Sequence, residues 1–292
     1  MASETPLTDC MDFMDSPARL REHADEHGYL YFRKLLSPKD VNAVRHAILN
    51  IAGKHDLLDP GYEIMEGIRR SDVFICEQDN TDLFRRFYTD VQRLRTFHAF
   101  THDSAVLGIL DRFFGSNILV HPRHICHTVF PGEDRATTVP HQDFHPVRGS
   151  RDTWTVWSPL GDCDDELGGL AVADGSSRWG FLNDPDVRSS EAIPDDTEWA
   201  WNPFSCGDVL MFHSLTIHRG RPNQTGDRIR LATSARYQSV NDQVDGAALG
   251  VHLGCGTWED IYSDWPDDDS LKFYWTGLNL DLQPPFHSRK KD

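Results

Sequence analysis

The apolar positions of this chain follow two rhythms, and the change falls near residue 117. Before it they recur at helical spacing. Ser16-Pro17 places an N-cap residue ahead of a proline at the first helical position, and Gly28 closes the polar, charged run that follows. Tyr29-Leu30-Tyr31-Phe32 then reads as a strand. Ser37-Pro38-Lys39-Asp40 repeats the start signal, and Val41, Val44, Ile48 and Ile51 follow three or four apart, the stripe of an amphipathic helix. From Asp79 to Gly115 the pattern is again helical, with Leu94, Phe97, Val106, Ile109, Leu110 and Phe113 as its buried face.

From about Asn117 the chain turns to short β-like runs separated by Gly, Pro and Asp, at 118–130, 139–145, 153–160, 169–173, 207–213 and 228–240. That spacing predicts an antiparallel barrel or jelly roll. The stretch from Asn183 to Thr197 is acidic, holds prolines and lacks apolar periodicity, which predicts an exposed loop near the barrel mouth. Between Thr257 and Thr276 stand Trp258, Ile261, Tyr262, Trp265, Phe273, Tyr274 and Trp275, too aromatic for a disordered tail and expected to pack on the barrel. The expectation is one domain over residues 1–292, with a helical part at 1–116, a β core at 117–240 and a packing segment at 241–292.

Composition narrows the partners. With 39% hydrophobic residues, 292 residues can bury a substantial core. A formal charge of −17 repels phosphate backbones and anionic membranes, so neither nucleic acid nor a membrane is an expected partner. No apolar run is long enough to span a bilayer, and Met1-Ala2-Ser3-Glu4-Thr5 has no secretory character, which predicts a soluble, cytoplasmic protein. Six scattered cysteines without a C-x-x-C pair read as reduced and structural.

The chemistry is carried by Val139-Pro140-His141-Gln142-Asp143. Residues two apart share one face of a strand, so His141 and Asp143 can bind one ion while Gln142 faces away. A distant histidine would complete the two-imidazole, one-carboxylate set that holds non-haem Fe(II) on one side and leaves positions open. His-x-Asp alone is weak evidence among fifteen histidines; its place in the β-rich part gives it force. His145 competes if the strand runs straight, but Pro146 argues that it does not. Of His213 and His218, the first ends an apolar strand as a core histidine does, and the second leads into the polar turn Arg219-Gly220-Arg221-Pro222-Asn223. Arg228 and Arg230 lie on one face of the last strand. A buried arginine there would suit the far carboxylate of a metal-chelating α-keto acid such as 2-oxoglutarate.

These residues resemble the phytanoyl-CoA dioxygenase family of Fe(II)- and 2-oxoglutarate-dependent oxygenases. The resemblance runs through Glu26-His27-Gly28-Tyr29-Leu30, Leu35-Leu36-Ser37-Pro38, His141-Gln142-Asp143, Trp157-Ser158-Pro159-Leu160-Gly161-Asp162, Gly168-Gly169-Leu170-Ala171-Val172, Gly175-Ser176 and Gly207-Asp208-Val209. Its most specific part is the closing block of His218, Pro222-Asn223, Arg228-Ile229-Arg230-Leu231 and Arg236-Tyr237. The resemblance implies iron ligands at His141, Asp143 and His218, a 2-oxoglutarate arginine at Arg230, a polar contact to the same cosubstrate from Thr138, and a double-stranded β-helix wrapped by N-terminal helices. Two positions depart from the family pattern: Ser177 stands where histidine is usual and Ala232 where serine often contacts 2-oxoglutarate.

The reaction implied by the resemblance is oxidative decarboxylation of 2-oxoglutarate by O₂ to succinate and CO₂, coupled to hydroxylation of an unactivated C–H bond. Halogenation is excluded, because related halogenases carry a small residue where Asp143 stands. Desaturation, epoxidation and ring closure stay open. A coenzyme A thioester would need a basic patch, for which Arg69-Arg70 and Arg85-Arg86 are candidates, with solvated surface charge as their ordinary role. Eight tryptophans and the negative charge suit an uncharged or cationic small molecule better. Two rivals make different demands. A cupin-like metalloenzyme without 2-oxoglutarate would leave Arg230 exposed or paired with an acid, and a non-catalytic binding protein would not bring the three ligands together.

Overall fold

The computed structural model describes residues 4–132, 136–182 and 193–285. Seven α-helices are found among them: α1 Pro17–His27, α2 Pro38–Lys54, α3 Asp82–Gln92, α4 Arg95–Phe100, α5 Ser104–Phe114, α6 Phe144–Val147 and α7 Trp258–Ile261. Twelve strands accompany them: β1 Glu4–Thr5, β2 Tyr29–Phe32, β3 Ile118–Val120, β4 Ile125–Val129, β5 Trp154–Pro159, β6 Gly169–Ala173, β7 Trp199–Ala200, β8 Val209–His213, β9 His218–Arg221, β10 Arg230–Ser239, β11 Gln243–Asp245 and β12 Asp281–Gln283.

Local chemistry explains the first helices. The Ser16 hydroxyl accepts from the Arg19 amide, Pro17 takes the first helical position, and Gly28 ends α1 in the left-handed region at φ 76°. The helical stretch expected over 79–115 is three helices, not one. Thr81 caps α3 by accepting from the Phe84 amide, Leu94 breaks the path with ψ 108°, and Asp103 restarts it by accepting from Ala105. Each short helix can then turn its own apolar face inward.

The sheets are open and face each other. One has the order β2-β8-β5-β10-β3, with β4 also paired to β10; the other has the order β1-β7-β6-β9. Together they give the mainly β, jelly-roll core expected, with the N-terminal helices against it. A core containing Tyr29, Tyr31, Trp157, Leu170, Val172, Leu210 and Phe212 fills the space between the sheets. A larger core joins α1–α5 to the other face of the six-stranded sheet and takes in Ile261, Tyr262, Trp265 and Trp275 from the C-terminal stretch. That stretch is tied down by Trp265 Nε1–H donating to Arg93 O (2.8 Å) and Tyr274 O–H to Val120 O (2.8 Å).

Two strand expectations need correction. The run 139–145 is not a strand: His141 forms a single bridge with His218, and α6 begins directly after Asp143. The segment after His218 is not a turn but β9, paired antiparallel with β6. Of the loop expected at 183–197, residues 183–192 lie outside the described residues; Thr197 is buried.

Candidate metal centre and cavity

One backbone pair creates the site. The His141 amide donates to His218 O and the His218 amide to His141 O, both at 3.0 Å, which sets the two imidazoles side by side with ring centroids 4.1 Å apart. Two residues on, the chain turns into α6, and this turn, rather than strand alternation, swings Asp143 back toward the rings. One ligand atom from each of His141, Asp143 and His218 lies within 4.8 Å of the others. Asp143 Oδ1 is 3.5 Å from His141 Nε2 and 3.8 Å from His218 Nε2.

The hydrogen bonds around the triad leave the right lone pairs free. His141 Nδ1–H donates to Val139 O (2.9 Å) and His218 Nδ1–H to Thr216 O (3.1 Å). A carbonyl only accepts, so each ring carries a proton on Nδ1, and the neutral form of each presents its Nε2 lone pair to the shared point. Burial, reinforced by the neighbouring His141, pushes His218 down to about 3, which keeps the ring neutral. Asp143 is buried, yet the Arg236 guanidinium and the two histidines outweigh the desolvation and hold its carboxyl well below the usual range. Arg236 Nη2 donates to both oxygens of Asp143 at 3.0 Å, and the Thr155 hydroxyl donates to Oδ2 at 2.5 Å. Oδ2 therefore carries two donors, and Oδ1 is the oxygen left toward the histidines. Metal–ligand bonds of about 2.0–2.2 Å place ligand atoms at right angles roughly 3 Å apart. The two carboxylate–imidazole spacings need to close by less than about 1 Å, and two neutral imidazole nitrogens with one carboxylate oxygen are a donor set that fits a divalent metal with an open side.

Arg230 and Arg228, inseparable by alternation, take different roles. Arg230 opens β10 opposite Val129 and is buried, 5% exposed. Its Nη1 donates to Arg221 O (2.7 Å), Leu167 O (3.3 Å) and Gly169 O (3.3 Å), and no carboxylate among the described residues pairs with it. A Cβ at Gly168, whose φ is +95°, would stand 2.7 Å from Nη1, so the close approach needs glycine there. Arg228 precedes the strand and pairs at the surface with Asp164 (3.0 Å) and Glu166 (3.9 Å).

The triad and Arg230 open into one cavity of about 530 Å³, within the usual range for small-molecule sites. Thr138 lines it, with its carbonyl accepting from the Gly220 amide at 2.9 Å; His145 lines it from α6. His213 lies elsewhere, 3.3 Å from Asp152. Arg69, Arg70, Arg85 and Arg86 do not reach the cavity; Arg70 pairs with Asp72 at 2.7 Å and Arg69 donates to backbone carbonyls. Ala232 is buried between the sheets and Ser177 packs beside Gly28. Sequence reasoning gave no role to Thr155, named Arg236 only within the closing block of the resemblance, and turned Gln142 away from the site, whereas Gln142 is buried and lines the cavity. The role of Arg236 was within reach, since Arg236 shares the parity of Arg230 along one strand.

The phytanoyl-CoA dioxygenase (PhyH) profile matches residues 24–232, a span that holds the triad and Arg230. The chain belongs to the phytanoyl-CoA dioxygenase family. Membership brings the reaction class of a 2-oxoglutarate-dependent non-haem iron dioxygenase, with Fe(II), 2-oxoglutarate and O₂ as its cofactors. Among its sequence relatives, 1-deoxypentalenic acid 11-beta-hydroxylase of Streptomyces arenae is 28% identical over 80% of this chain and 85% of its own, and the Streptomyces exfoliatus enzyme of the same name is 26% identical over the same shares. Among solved structures, the fold is similar to that of the carbocyclase SnoK from nogalamycin biosynthesis (TM-score 0.55, 20% identity, 82% of this chain and 89% of that one). It is also similar to that of the epimerase SnoN, solved with Fe³⁺, alpha ketoglutarate and nogalamycin RO (TM-score 0.54, 21% identity, 83% and 92%).

Proposed function

We propose that this phytanoyl-CoA dioxygenase family member hydroxylates an unactivated C–H bond of a small organic metabolite in the cytoplasm, releasing succinate and CO₂, and that His141, Asp143 and His218 hold its Fe(II). The carrying observation is the convergence of two Nε2 lone pairs and Asp143 Oδ1 in a cavity that also contains Arg230, which has no acidic partner among the described residues. A cupin-like enzyme without 2-oxoglutarate predicts an exposed or acid-paired Arg230, and a binding protein predicts a dispersed triad; neither matches this geometry. The two Streptomyces relatives are hydroxylases of an organic acid, which supports a small-molecule substrate. No helix among the described residues is long and apolar enough to cross a membrane, and six free thiols suit a reducing compartment.

When bound, Fe(II) with 2-oxoglutarate would activate O₂, the oxidant for C–H cleavage, with two of the four electrons coming from decarboxylation of 2-oxoglutarate and two from the substrate C–H bond. The chain's residues supply position. His141 and His218 enter with their tautomers fixed by Val139 and Thr216, and Arg236 with Thr155 orients Asp143 so that one oxygen serves the metal. Arg230 offers its guanidinium to the far carboxylate of 2-oxoglutarate, anchored by three carbonyls that fix its plane. Thr138 stands on the same wall for a polar contact. Leu170, Phe181 and Leu182 add apolar surface to the cavity wall.

Anaerobic titration of the apoprotein with Fe(II) and then 2-oxoglutarate tests this reading. A visible charge-transfer band saturating near one equivalent of each is the expected result. A folded protein that forms no band overturns it.

A further inference from the structure

Among the described residues, three arginines line the cavity: Arg123, Arg230 and Arg236. Arg236 is engaged by Asp143, and Arg230 is accounted for by 2-oxoglutarate. Arg123 has no such use. It precedes β4, and Arg123, Ile125, His127 and Val129, spaced two apart, all face the cavity. Its Nε donates to Gly250 O at 3.0 Å and its Nη2 to Ala247 O, so two backbone carbonyls hold the guanidinium plane. No carboxylate among the described residues forms an ion pair with it. Burial, and then repulsion from Arg236, lower its pKa, with Asp245 opposing, as befits a cation short of an anion.

Its position says which anion that would be. On β10, Arg230 faces Val129, and Arg236 stands six residues further, on the order of 20 Å along the strand. Arg123 lies six residues before Val129 on the antiparallel side, at the Arg236 end. A Cβ on Gly220 would lie 3.5 Å from Arg230 Nη2, and β9 leads from Gly220 back to His218, whose neighbour Asp143 touches Arg236. The triad thus stands between Arg230 and Arg123. A five-carbon dicarboxylate that chelates at the triad and ends on Arg230 points away from Arg123. Toward Arg123 the cavity offers the apolar side chains of Ile125 and Leu253.

We propose that Arg123 is the anchoring subsite for the substrate, and that the substrate is a hydrophobic carboxylic acid whose carboxylate docks on Arg123 while its hydrocarbon body reaches the triad. The inference rests on the oxygenase reading of the triad, and it replaces the uncharged or cationic substrate suggested by the charge of the whole chain with one suited to the Arg123 end of a cavity whose lining also holds Glu77, next to Arg236, and Asp143.

The test titrates the anaerobic Fe(II)·2-oxoglutarate enzyme with cyclohexane-, decalin- and adamantanecarboxylic acid, and with the methyl ester and primary amine analogue of each, following perturbation of the charge-transfer band. The acids are expected to bind about ten- to a hundredfold more tightly than esters or amines, the scale of a charge-assisted hydrogen bond. Arg123→Leu removes that preference, Arg123→Lys keeps part of it, and both retain wild-type affinity for Fe(II) and 2-oxoglutarate. Esters or amines that match the acids, an acid preference that survives Arg123→Leu, or a panel in which no acid perturbs the band overturns the proposal. So does a loss of 2-oxoglutarate affinity in Arg123→Leu, which would give the arginine to the cosubstrate. Absence of the band in the wild type condemns the cofactor reading instead, so the two failures are distinct.

Discussion

Arg236 Nη2 donates to both carboxylate oxygens of Asp143 at 3.0 Å, from a strand position six residues beyond Arg230. The pair is buried on both sides, and the Arg236 Nε beside it is buried without a hydrogen-bond partner among the described residues. A charge pair of this kind costs little while intact and much when halved. Arg236→Leu is therefore expected to destabilise the apoprotein by about 3–5 kcal/mol, because Asp143 stays buried without its cation. Fe(II) brings positive charge to the same carboxylate, so the metal should restore part of the loss, while its own affinity falls by about 10- to 100-fold. Denaturant unfolding with and without Fe(II), alongside an Fe(II) titration, measures both effects. An Arg236→Leu protein equal to the wild type in both would show that Asp143 is held by Thr155 alone.

How much of the fold and site is legible in the chain depends on the range of the interactions concerned. Caps are local, so Ser16-Pro17 and Gly28 mark α1 to the residue. Strands with an apolar face announce themselves, and β5, β6, β8 and β10 fall within a residue or two of the expected runs. Three features depend on partners distant in sequence and escape a local reading. The element β9 reads as a polar turn because only His218 and Gly220 are buried in it. Asp143 belongs to a turn because the Phe144 amide meets Ser214 O at 2.9 Å, a contact no local pattern encodes. The division of labour between Arg228 and Arg230 is set by Asp164 and by the carbonyls of Leu167, Gly169 and Arg221, which tertiary structure alone brings near.

That division gives a paired prediction. Arg230→Ala removes the buried guanidinium, and the half-saturating 2-oxoglutarate concentration is expected to rise about a hundredfold, the effect of losing one partner of a desolvated charge pair. Fe(II) stoichiometry should stay at one. Arg228→Ala breaks only exposed ion pairs and should change 2-oxoglutarate affinity by less than about twofold. Steady-state succinate release at varied 2-oxoglutarate reads both. Equal effects would undo the assignment of the two arginines.

Asp143→Ala removes the only carboxylate of the triad and is expected to abolish coupled turnover, with succinate release falling to the background of the metal-free protein. The variant also leaves Arg236 buried without its acid, so its fold is checked by denaturant unfolding first. Activity within a few-fold of the wild type would refute Asp143 as a ligand.

Gln142 links the metal loop to the substrate wall. Its Nε2 donates to Leu215 O (2.7 Å) and Gly180 O (2.9 Å), and its Oε1 accepts from the Leu182 amide (3.0 Å), which fixes Phe181 and Leu182 at the cavity. Gln142→Leu should cost about 1–3 kcal/mol for each buried group left unsatisfied, while Fe(II) and 2-oxoglutarate still form the chelate, since no ligand is touched. The expected signature is a lower urea midpoint with an unchanged charge-transfer band. A band lost while the fold stays intact would mean that Gln142 positions His141 and Asp143 directly.

Acid sensitivity should come from buried histidines, the triad's own His218 among them. His98, His121 and His124 are buried, and burial pushes the first two down to about 4 and the third well below its ordinary value. In the unfolded chain each titrates near 6.5. Below that pH the unfolded state binds protons that the folded state refuses, so stability falls as pH falls, from about 6.5 down to the folded values near 4. These three alone give a slope of about 4 kcal/mol per pH unit around pH 5, at about 1.4 kcal/mol for each proton, and His127, His218 and His252, each pushed down to about 3, act in the same direction. Asp143, held low in the folded state, adds a loss of the same sign only below the ordinary carboxylate range near 4. Urea unfolding of the apoprotein at pH 7.5, 6.5 and 5.5 should therefore show a drop over the second step about three times that over the first. A flat profile across both steps would mean that these rings are protonated in the fold, which the hydrogen bond from His98 Nε2–H to Gln92 O alone cannot stabilise in so buried a ring.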